Sequence, residues 1–189
     1  MRSTSESVKA RVLDAARVEF ATYGLAGARI DRIAKEASAS KERLYAYFAD
    51  KQALFESVLN LDTAEFFESA TIDPADPSAF VGAVFDHALS TPAHHRMITW
   101  ARLDGFVLNP PQGLSGPDGK LAALREAQRI GTVDPDWQPE MLMQILFSLG
   151  LAWAQSPVRH PDEAQSLTAQ TARASAIEAA RRVIAPRTP

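Results

Sequence analysis

The chain has 189 residues, of which 46% are hydrophobic and 23% charged, a composition typical of a globular protein. It contains no cysteine, which excludes disulfides, zinc–thiolate sites and thiol nucleophiles. The net charge of −3 is divided into +3 on residues 1–51 and −6 on residues 52–189, so only the first segment is expected to meet phosphate.

Apolar residues recur at helical spacing along the whole chain, and no run shows the period-2 alternation of β-strands. The sequence therefore predicts an all-α protein of about nine helices. Their approximate bounds are Ser5–Tyr23, Arg29–Ala37, Ser40–Phe48, Lys51–Ser69, Ser78–Leu89, Ala93–Val107, Lys120–Ile130, Glu140–Gln155 and Asp162–Ile184. The Pro- and Gly-rich segment Asn109–Gly119 predicts a loop.

Boundary residues explain several of these helix ends. Gly24 breaks the first helix, and Ser40 and Asp50 are the predicted N-caps of the third and fourth. The fifth and sixth helices follow Asp76-Pro77 and Thr91-Pro92, in which a polar N-cap precedes proline at the first helical position.

The second and third helices are short, have apolar inner faces and are joined by a turn of about three residues, which is the helix-turn-helix pattern. The second helix of such a motif enters the major groove with its N-terminal residues near base edges. Here that helix begins Ser40-Lys41-Glu42-Arg43, and Lys and Arg side chains donate to guanine O6 and N7. The hydroxyls of Tyr45 and Tyr47 suit phosphate oxygens, and Lys51 lies where a helix N-terminus can share a phosphate.

Residues Ala15–Phe55 resemble the DNA-binding domain of the TetR family of bacterial repressors. The matching positions follow without a gap: Phe20, Tyr23-Gly24, Ile33-Ala34, Ser40, Leu44-Tyr45, Tyr47-Phe48, Lys51 and Leu54-Phe55. Residues 56–189 resemble the family only in length and helix count.

The resemblance implies a homodimer that represses transcription and leaves DNA when a small molecule binds its C-terminal domain. It places Lys41, Glu42 and Arg43 at base-reading positions. The positions that usually contact phosphate hold Arg29, Tyr45, Tyr47 and Lys51.

Two positions depart from the family pattern. Ala28 and Arg29 stand near the start of the second helix, where the family often has Thr or Ser, and Ser38 replaces the frequent Gly of the turn. Without a Thr or Ser side chain to cap its N-terminus, the second helix is expected to lose about 1 kcal/mol of stability. The charge of Arg29 is still expected to provide the phosphate contact.

The same residues also fit plainer interpretations. On periodicity alone, residues 41–43 equally fit a solvated helix face, and Tyr45 and Tyr47 fit core aromatics. Leu44 and Phe48 already fill the inward face of so short a helix, so at least one tyrosine is expected to face outward. The resemblance favours DNA contact for the group.

No sequence pattern points to a metal, a cofactor or catalysis. His94 and His95 are adjacent and diverge by roughly 100° on a helix, and neither they nor His87 has the spacing of a metal site. The chain lacks a G-x-S-x-G motif, a P-loop, a dinucleotide fingerprint and a paired-carboxylate motif. We therefore expect a protein that is not an enzyme and needs no cofactor.

Aromatic and methionine residues between Phe85 and Trp153 lie on helices that are expected to pack together, most of them as ordinary core. The resemblance implies that this region lines the effector cavity. The candidate pocket residues are Phe85, His87, Met97, Trp100, Arg102, Asp104, Phe106, Met143 and Phe147. Three of them, His87, Arg102 and Asp104, provide polar groups.

The last two helices carry the signal for a homodimer. Met141–Ala154 is apolar around nearly its whole circumference, so both of its sides must be covered. The last helix is rich in small residues that allow close approach, namely Ala172, Ala174, Ala176, Ala179 and Ala180. Two such helices from each subunit predict a four-helix bundle, and a twofold dimer presents two recognition helices to a pseudo-palindromic operator.

The sequence thus predicts a ligand-responsive repressor with an N-terminal three-helix DNA-binding domain over residues 1–51. Residues 52–189 form the predicted helical domain for effector binding and dimerisation. One alternative is a DNA-binding protein of this fold without a small-molecule effector. Another is a helical binding protein or enzyme with a vestigial helix-turn-helix, against which the basic start of the third helix argues. The missing signal-peptide pattern and the shortness of Met141–Ala154 predict a cytoplasmic protein without a membrane partner.

Overall fold

A computed structural model describes residues 4–106, 116–155 and 168–187 of the chain. Within these residues there are nine α-helices and no β-strand, which confirms the all-α fold class. The helices are α1 (Thr4–Gly27), α2 (Ile30–Glu36), α3 (Lys41–Tyr45), α4 (Lys51–Ser69), α5 (Ala79–Ser90), α6 (Pro92–Leu103), α7 (Pro117–Ile130), α8 (Pro139–Leu151) and α9 (Ala169–Ile184). In the described ranges, none of them is long and apolar enough to cross a membrane.

Local side-chain caps begin α3 and α4 where the sequence predicts them. The Ser40 hydroxyl accepts the backbone N–H of Arg43 at 3.2 Å. The Asp50 carboxylate accepts the backbone N–H of Ala53 at 2.7 Å. Both bonds satisfy donors that the first turn of a helix leaves without an intrahelical partner, so both predicted N-caps are confirmed.

The start of α5 differs from its prediction. Asp76 is not the N-cap, because its carboxylate accepts the hydroxyl of Ser78 at 2.5 Å and the helix begins at Ala79. By contrast, Thr91 does occupy the N-cap position of α6, with Pro92 in the first turn.

Other helix ends also differ, since α1 ends at Gly27 rather than Tyr23 and α3 ends at Tyr45 rather than Phe48. α6 ends at Leu103 because the chain turns at Gly105, whose φ of +74° favours glycine. α7 begins at Pro117, inside the predicted loop, and α8 ends at Leu151 rather than Gln155. The predicted ends at Val107 and Asp162, and residues 109–115 of the predicted loop, lie outside the described residues.

Contacts divide the chain into two compact units. One comprises Met1–Ala64 and Thr91–Asn109, and the other comprises Glu65–Ser90 and Pro110–Pro189. α6 therefore belongs to the same unit as the first three helices. The predicted functional boundary at residue 51 stays a prediction, because units defined by packing need not coincide with domains defined by function.

In the first unit, α6 packs closely on α1. Gly24 breaks α1 with a φ of +65°, and a Cβ at this position would lie only 2.9 Å from the Trp100 ring. Arg96 donates from Nε to the carbonyl of Ala21 at 2.9 Å, beside the same break. The core beneath contains Phe20 and Phe55, whose rings meet edge to face at 5.0 Å. Glycine at position 24 thus serves both the turn and the close approach of the indole.

In the second unit, α5 packs on α8 and α9. A Cβ at Gly150 would lie 2.6 Å from the side chain of Val84, so these two helices approach as closely as glycine permits. Leu124, Leu142 and Leu146 are fully buried and contribute to the core of this unit. The indole of Trp137 donates to the carbonyl of Val183 at 3.0 Å and fastens the end of α9.

Candidate nucleic-acid interface

α2 and α3 form the predicted helix-turn-helix. Ile33 and Ala34 of α2 and Leu44 of α3 are buried, so each helix directs one face inward. Ser38 lies in the turn between them with a φ of +48°, a left-handed conformation that costs roughly 1–2 kcal/mol for a residue with a Cβ. The turn geometry for which the family often uses glycine is therefore kept without it.

The first turn of α3 is exposed on its outer side, where the sequence predicts base reading. Lys41, Glu42 and Arg43 are all exposed, whereas the next residue, Leu44, is fully buried. Lys41 forms a short ion pair with Asp31 of α2, which raises the pKa of the lysine. Among the described residues, no carboxylate lies within ion-pair distance of Arg43. Lys41 is held by Asp31, whereas the guanidinium of Arg43 is able to point towards a base edge.

Two of the predicted phosphate residues lie together at the start of α2. Lys51 donates from Nζ to the carbonyls of Ala26 and Ala28, at 3.3 and 3.1 Å. Arg29 follows Ala28 directly and is exposed. The structure therefore brings the two cations to one place at the junction between α1 and α2.

The two tyrosines lie at the other end of the recognition helix and differ in exposure. Tyr45 is 48% exposed, which agrees with the expectation that at least one tyrosine faces outward. Tyr47 is partly buried, and its ring centroid lies 6.3 Å from that of Phe48. Their phosphate contacts stay predictions.

Glu19, which the sequence analysis did not single out, compensates for the missing cap of α2. Its buried carboxylate accepts the backbone N–H of Arg29 and the Nε of Arg32, both at 2.8 Å. Burial alone would raise the pKa of Glu19, but the hydrogen bonds from Arg32 and Arg29 outweigh it and hold this pKa below its usual value. A carboxylate of α1 thus fixes the start of α2.

A buried charged cluster joins α1, α4 and α6 within the first unit. Asp62 accepts Nε and Nη2 of Arg17 at 2.9 and 2.6 Å, and Nδ1 of His94 lies 3.5 Å from its other oxygen. Burial would raise the pKa of Asp62, but His94 and Arg17 together lower it. His94 therefore belongs to a buried polar cluster. No group of three or more metal-ligating side chains occurs in the described part of the chain.

Comparison with known proteins gives two matches to protein-family models. Residues 12–58 match a model described as bacterial regulatory proteins, tetR family. Residues 76–182 match a model described as the tetracyclin repressor-like, C-terminal domain. The chain belongs to the TetR family. The family resemblance read from residues 15–55 is confirmed.

Individual relatives agree with this assignment. The chain is 34% identical to the HTH-type transcriptional repressor SCO4008 of Streptomyces coelicolor over 145 residues, which are 75% of this chain and 76% of that protein. The crystal structure of SCO4942 from Streptomyces coelicolor matches with a TM-score of 0.82 and 38% identity, covering 94% of this chain and 98% of that one. A TetR family transcription regulator from Marinobacter aquaeolei VT8 shares the fold, with a TM-score of 0.69, 20% identity, and coverage of 99% and 100%.

Five of the predicted effector residues of this TetR-family chain lie in the first unit. Met97 is fully buried in its core, and Trp100 packs on Gly24. Arg102 is exposed. Asp104 and Phe106 are brought together on the wall of a cavity of about 370 Å³. The remaining lining residues of that cavity are Gln52, Glu56, Leu59, Asn60 and Gly105.

The other four predicted effector residues lie in the second unit. Phe85 is buried, and Met143 packs partly buried against the core. His87 and Phe147 are brought together by Phe66, whose ring centroid lies 4.9 and 5.5 Å from theirs. Ligand contact stays a prediction for all nine residues.

Lys120 is a buried cation that the sequence analysis missed. It is 4% exposed, donates from Nζ to the carbonyl of Phe67 at 2.8 Å, and lies 5.0 Å from the centroid of the Phe67 ring. Phe67 is in the last turn of α4, so the ammonium stabilises the C-terminal end of that helix. Burial lowers the pKa of Lys120 to about 8.

This lowered pKa predicts a rise in stability at alkaline pH. The unfolded chain keeps the Lys120 proton up to a pKa of about 10.5, so between pH 8 and 10.5 it binds more protons than the folded chain. We expect the free energy of unfolding to increase across this window by about 1–3 kcal/mol. Urea titrations of the wild type and Lys120→Met from pH 7 to 10.5 measure it, because the variant lacks this component. Parallel pH profiles of the two proteins would contradict the prediction.

Proposed function

We propose that the chain is a ligand-responsive transcriptional repressor that binds a pseudo-palindromic operator as a homodimer and is released by a small-molecule effector. The observation that carries the proposal is the exposed basic turn of α3, positioned by buried anchors in a chain of the TetR family. Lys41, Glu42 and Arg43 read bases in this proposal, and Arg29, Tyr45, Tyr47 and Lys51 hold phosphates. The repressor acts at the chromosome, in the cytoplasm, and has no catalytic role.

The exposed side of α8 supports the dimer. Met141 is 60% exposed, and it forms a shallow apolar groove with Ile145 and Leu149. A second copy that covers this groove would remove the apolar side chains from water. Of the small residues of α9, Ala172 and Ala180 are buried inside the subunit and pack within it. Ala174 is exposed and is available for contact with a second subunit. We propose that α8 and the outer side of α9 form the subunit contact.

The effector has candidate contacts in both units. Two of the seven residues that line the cavity, Asp104 and Phe106, are predicted effector residues. In the aromatic group, His87 and Phe147 are predicted effector residues and contact the ring of Phe66. A ligand that binds more tightly to the conformation unable to hold DNA lowers operator affinity by that difference in binding.

The function is tested by selecting bound duplexes from a randomised DNA pool at near-physiological salt and sequencing them. Enrichment of a pseudo-palindrome is the expected result, since two α3 helices of a twofold dimer read two half-sites. Absence of enrichment, with binding either missing or blind to sequence, would overturn the proposal.

Lys51→Ala is expected to weaken binding to all duplexes alike and to flatten its salt dependence. Each lost phosphate contact reduces the slope of log K against log salt by about 0.9, and a dimer loses two contacts. Titrations of a mixed-sequence duplex at several salt concentrations measure this slope. Lys51→Arg is the charge-preserving control, and an unchanged slope in Lys51→Ala would remove the phosphate assignment.

A further inference from the structure

Lys9 lies in the N-terminal part of α1, next to the far end of the recognition helix. Its side chain is exposed, and its Nζ lies 5.9 Å from the ring centroid of Phe48. Phe48 is 5% exposed and occupies the short connection between α3 and α4. The ammonium of Lys9 therefore covers the outer side of this connection, which also holds Tyr47.

Buried residues and one hydrogen bond fix this part of α1. Val8 and Val12 are 5% and 0% exposed and anchor the inner side of the helix in the core. Arg11 donates from Nε to the carbonyl of Ala37 at 3.0 Å, at the turn that precedes α3. α1 thus contacts the chain on both sides of α3, through Arg11 before it and through Lys9 after it. The position of Lys9 relative to α3 follows from these contacts.

The charge of Lys9 is not neutralised by the part of the protein that the structure describes. The ion pairs formed by cations of the first unit use Arg17, Arg32 and Lys41. No described carboxylate lies within ion-pair distance of Lys9. The contact with the Phe48 ring leaves the N–H groups of an exposed ammonium available for an anionic oxygen.

We infer that Lys9 holds a DNA phosphate, so that the DNA interface extends from the helix-turn-helix onto α1. The inference rests on the proposed function, because it needs α3 to lie in the major groove. When α3 lies in the major groove, the DNA phosphate backbones run past its two ends. Arg11 and Lys9 hold α1 beside these two ends, so Lys9 lies near a backbone. Lys9 gives position and affinity without reading sequence, since phosphates carry no sequence information.

Lys9→Met separates the charge from the cover over Phe48, because methionine keeps an apolar side chain on the ring. In salt titrations of a mixed-sequence duplex, we expect the slope of log K against log salt to fall by about 0.9 for each lost contact, or about 1.8 for the dimer. Lys9→Arg should keep the wild-type slope, and so should Arg129→Met, which removes a surface cation from α7. The midpoint of thermal unfolding should be the same in Lys9→Met and the wild type.

Two results overturn the inference. If the salt slope of Lys9→Met equals that of the wild type, Lys9 only shields Phe48, whether or not the variant is less stable. If the wild-type protein binds neither the mixed-sequence duplex nor any member of a randomised pool, the proposed function fails together with this inference. DNA binding by the wild type with an unchanged slope in Lys9→Met refutes the role of Lys9 alone.

Discussion

Arg43→Ala is expected to lower affinity for the selected operator by roughly 30-fold to 10⁴-fold. A good bidentate contact from arginine to guanine is worth about 1–3 kcal/mol, and a twofold dimer loses it in both half-sites. Arg43 is exposed in the first turn of α3, and its backbone N–H is held by the Ser40 cap. The substitution therefore removes a reading group and leaves the helix start intact.

Binding titrations at one fixed salt concentration measure this effect on the operator and on duplexes changed at single base pairs. Arg43→Ala should discriminate less between bases at particular positions of the operator. At the other positions, the order of affinity among the four base pairs should stay unchanged. Arg43→Lys is the matched control, because it keeps the charge and loses the planar fork. Uniform weakening across every duplex, with all preferences retained, would show that Arg43 does not read bases.

Asp62→Asn is expected to lower the free energy of unfolding by about 3 kcal/mol. Breaking a buried ion pair typically costs 3–5 kcal/mol. The lower end applies because the side chain of Arg17 is 25% exposed and keeps its second, exposed ion pair with Asp14 at 2.8 Å. Urea unfolding at pH 7 measures the difference. The double variant Arg17→Met/Asp62→Leu should recover most of the loss, because neither charge then remains. A loss below about 1 kcal/mol in Asp62→Asn would contradict the structural role of the cluster.

The same cluster makes the stability of the folded chain depend on pH in the acid range. His94 and Arg17 hold the pKa of Asp62 below its unfolded value of about 3.8, so the carboxylate contributes stability above that pH. This contribution is lost as the pH falls through the lower pKa of the folded state. Asp62→Asn should lack this component of acid destabilisation when the two proteins are compared from pH 5 to pH 2.

Local chemistry made much of the fold predictable from sequence. Ser40 and Asp50 cap helices through bonds to backbone groups three residues away, so a short stretch of sequence contains both partners. The outward position of residues 41–43 likewise follows from the burial of Leu44 one residue later. The family resemblance rests on the same short-range spacing.

Glu19 and Asp62 were missed because their partners are distant in sequence. Asp62 meets Arg17 across 45 residues, and Glu19 accepts hydrogen bonds from residues 10 and 13 positions away. Helical spacing does place Glu19 on the buried side, in line with Val12 and Ala16, and a carboxylate at such a position signals a buried partner. Helical spacing does not identify that partner.

The effector residues show the same limit. Periodicity places Met97, Phe106 and Phe147 on helices, but it does not show which compact unit each helix joins. α6 lies with the first helices, whereas α8 lies in the other unit. That assignment depends on long-range packing such as the contact of Trp100 with Gly24.

The place of α6 limits how modular the DNA-binding part of the chain is. Its compact unit is completed by a helix that the ribosome adds only after α5, so a fragment ending at Ala64 exposes the surface that Trp100 and Met97 cover. A chimera that exchanges only the N-terminal helices between family members would join α1 to a foreign α6. Recombination between such regulators must therefore preserve the match between Gly24 and Trp100, or transfer α6 together with the recognition helix.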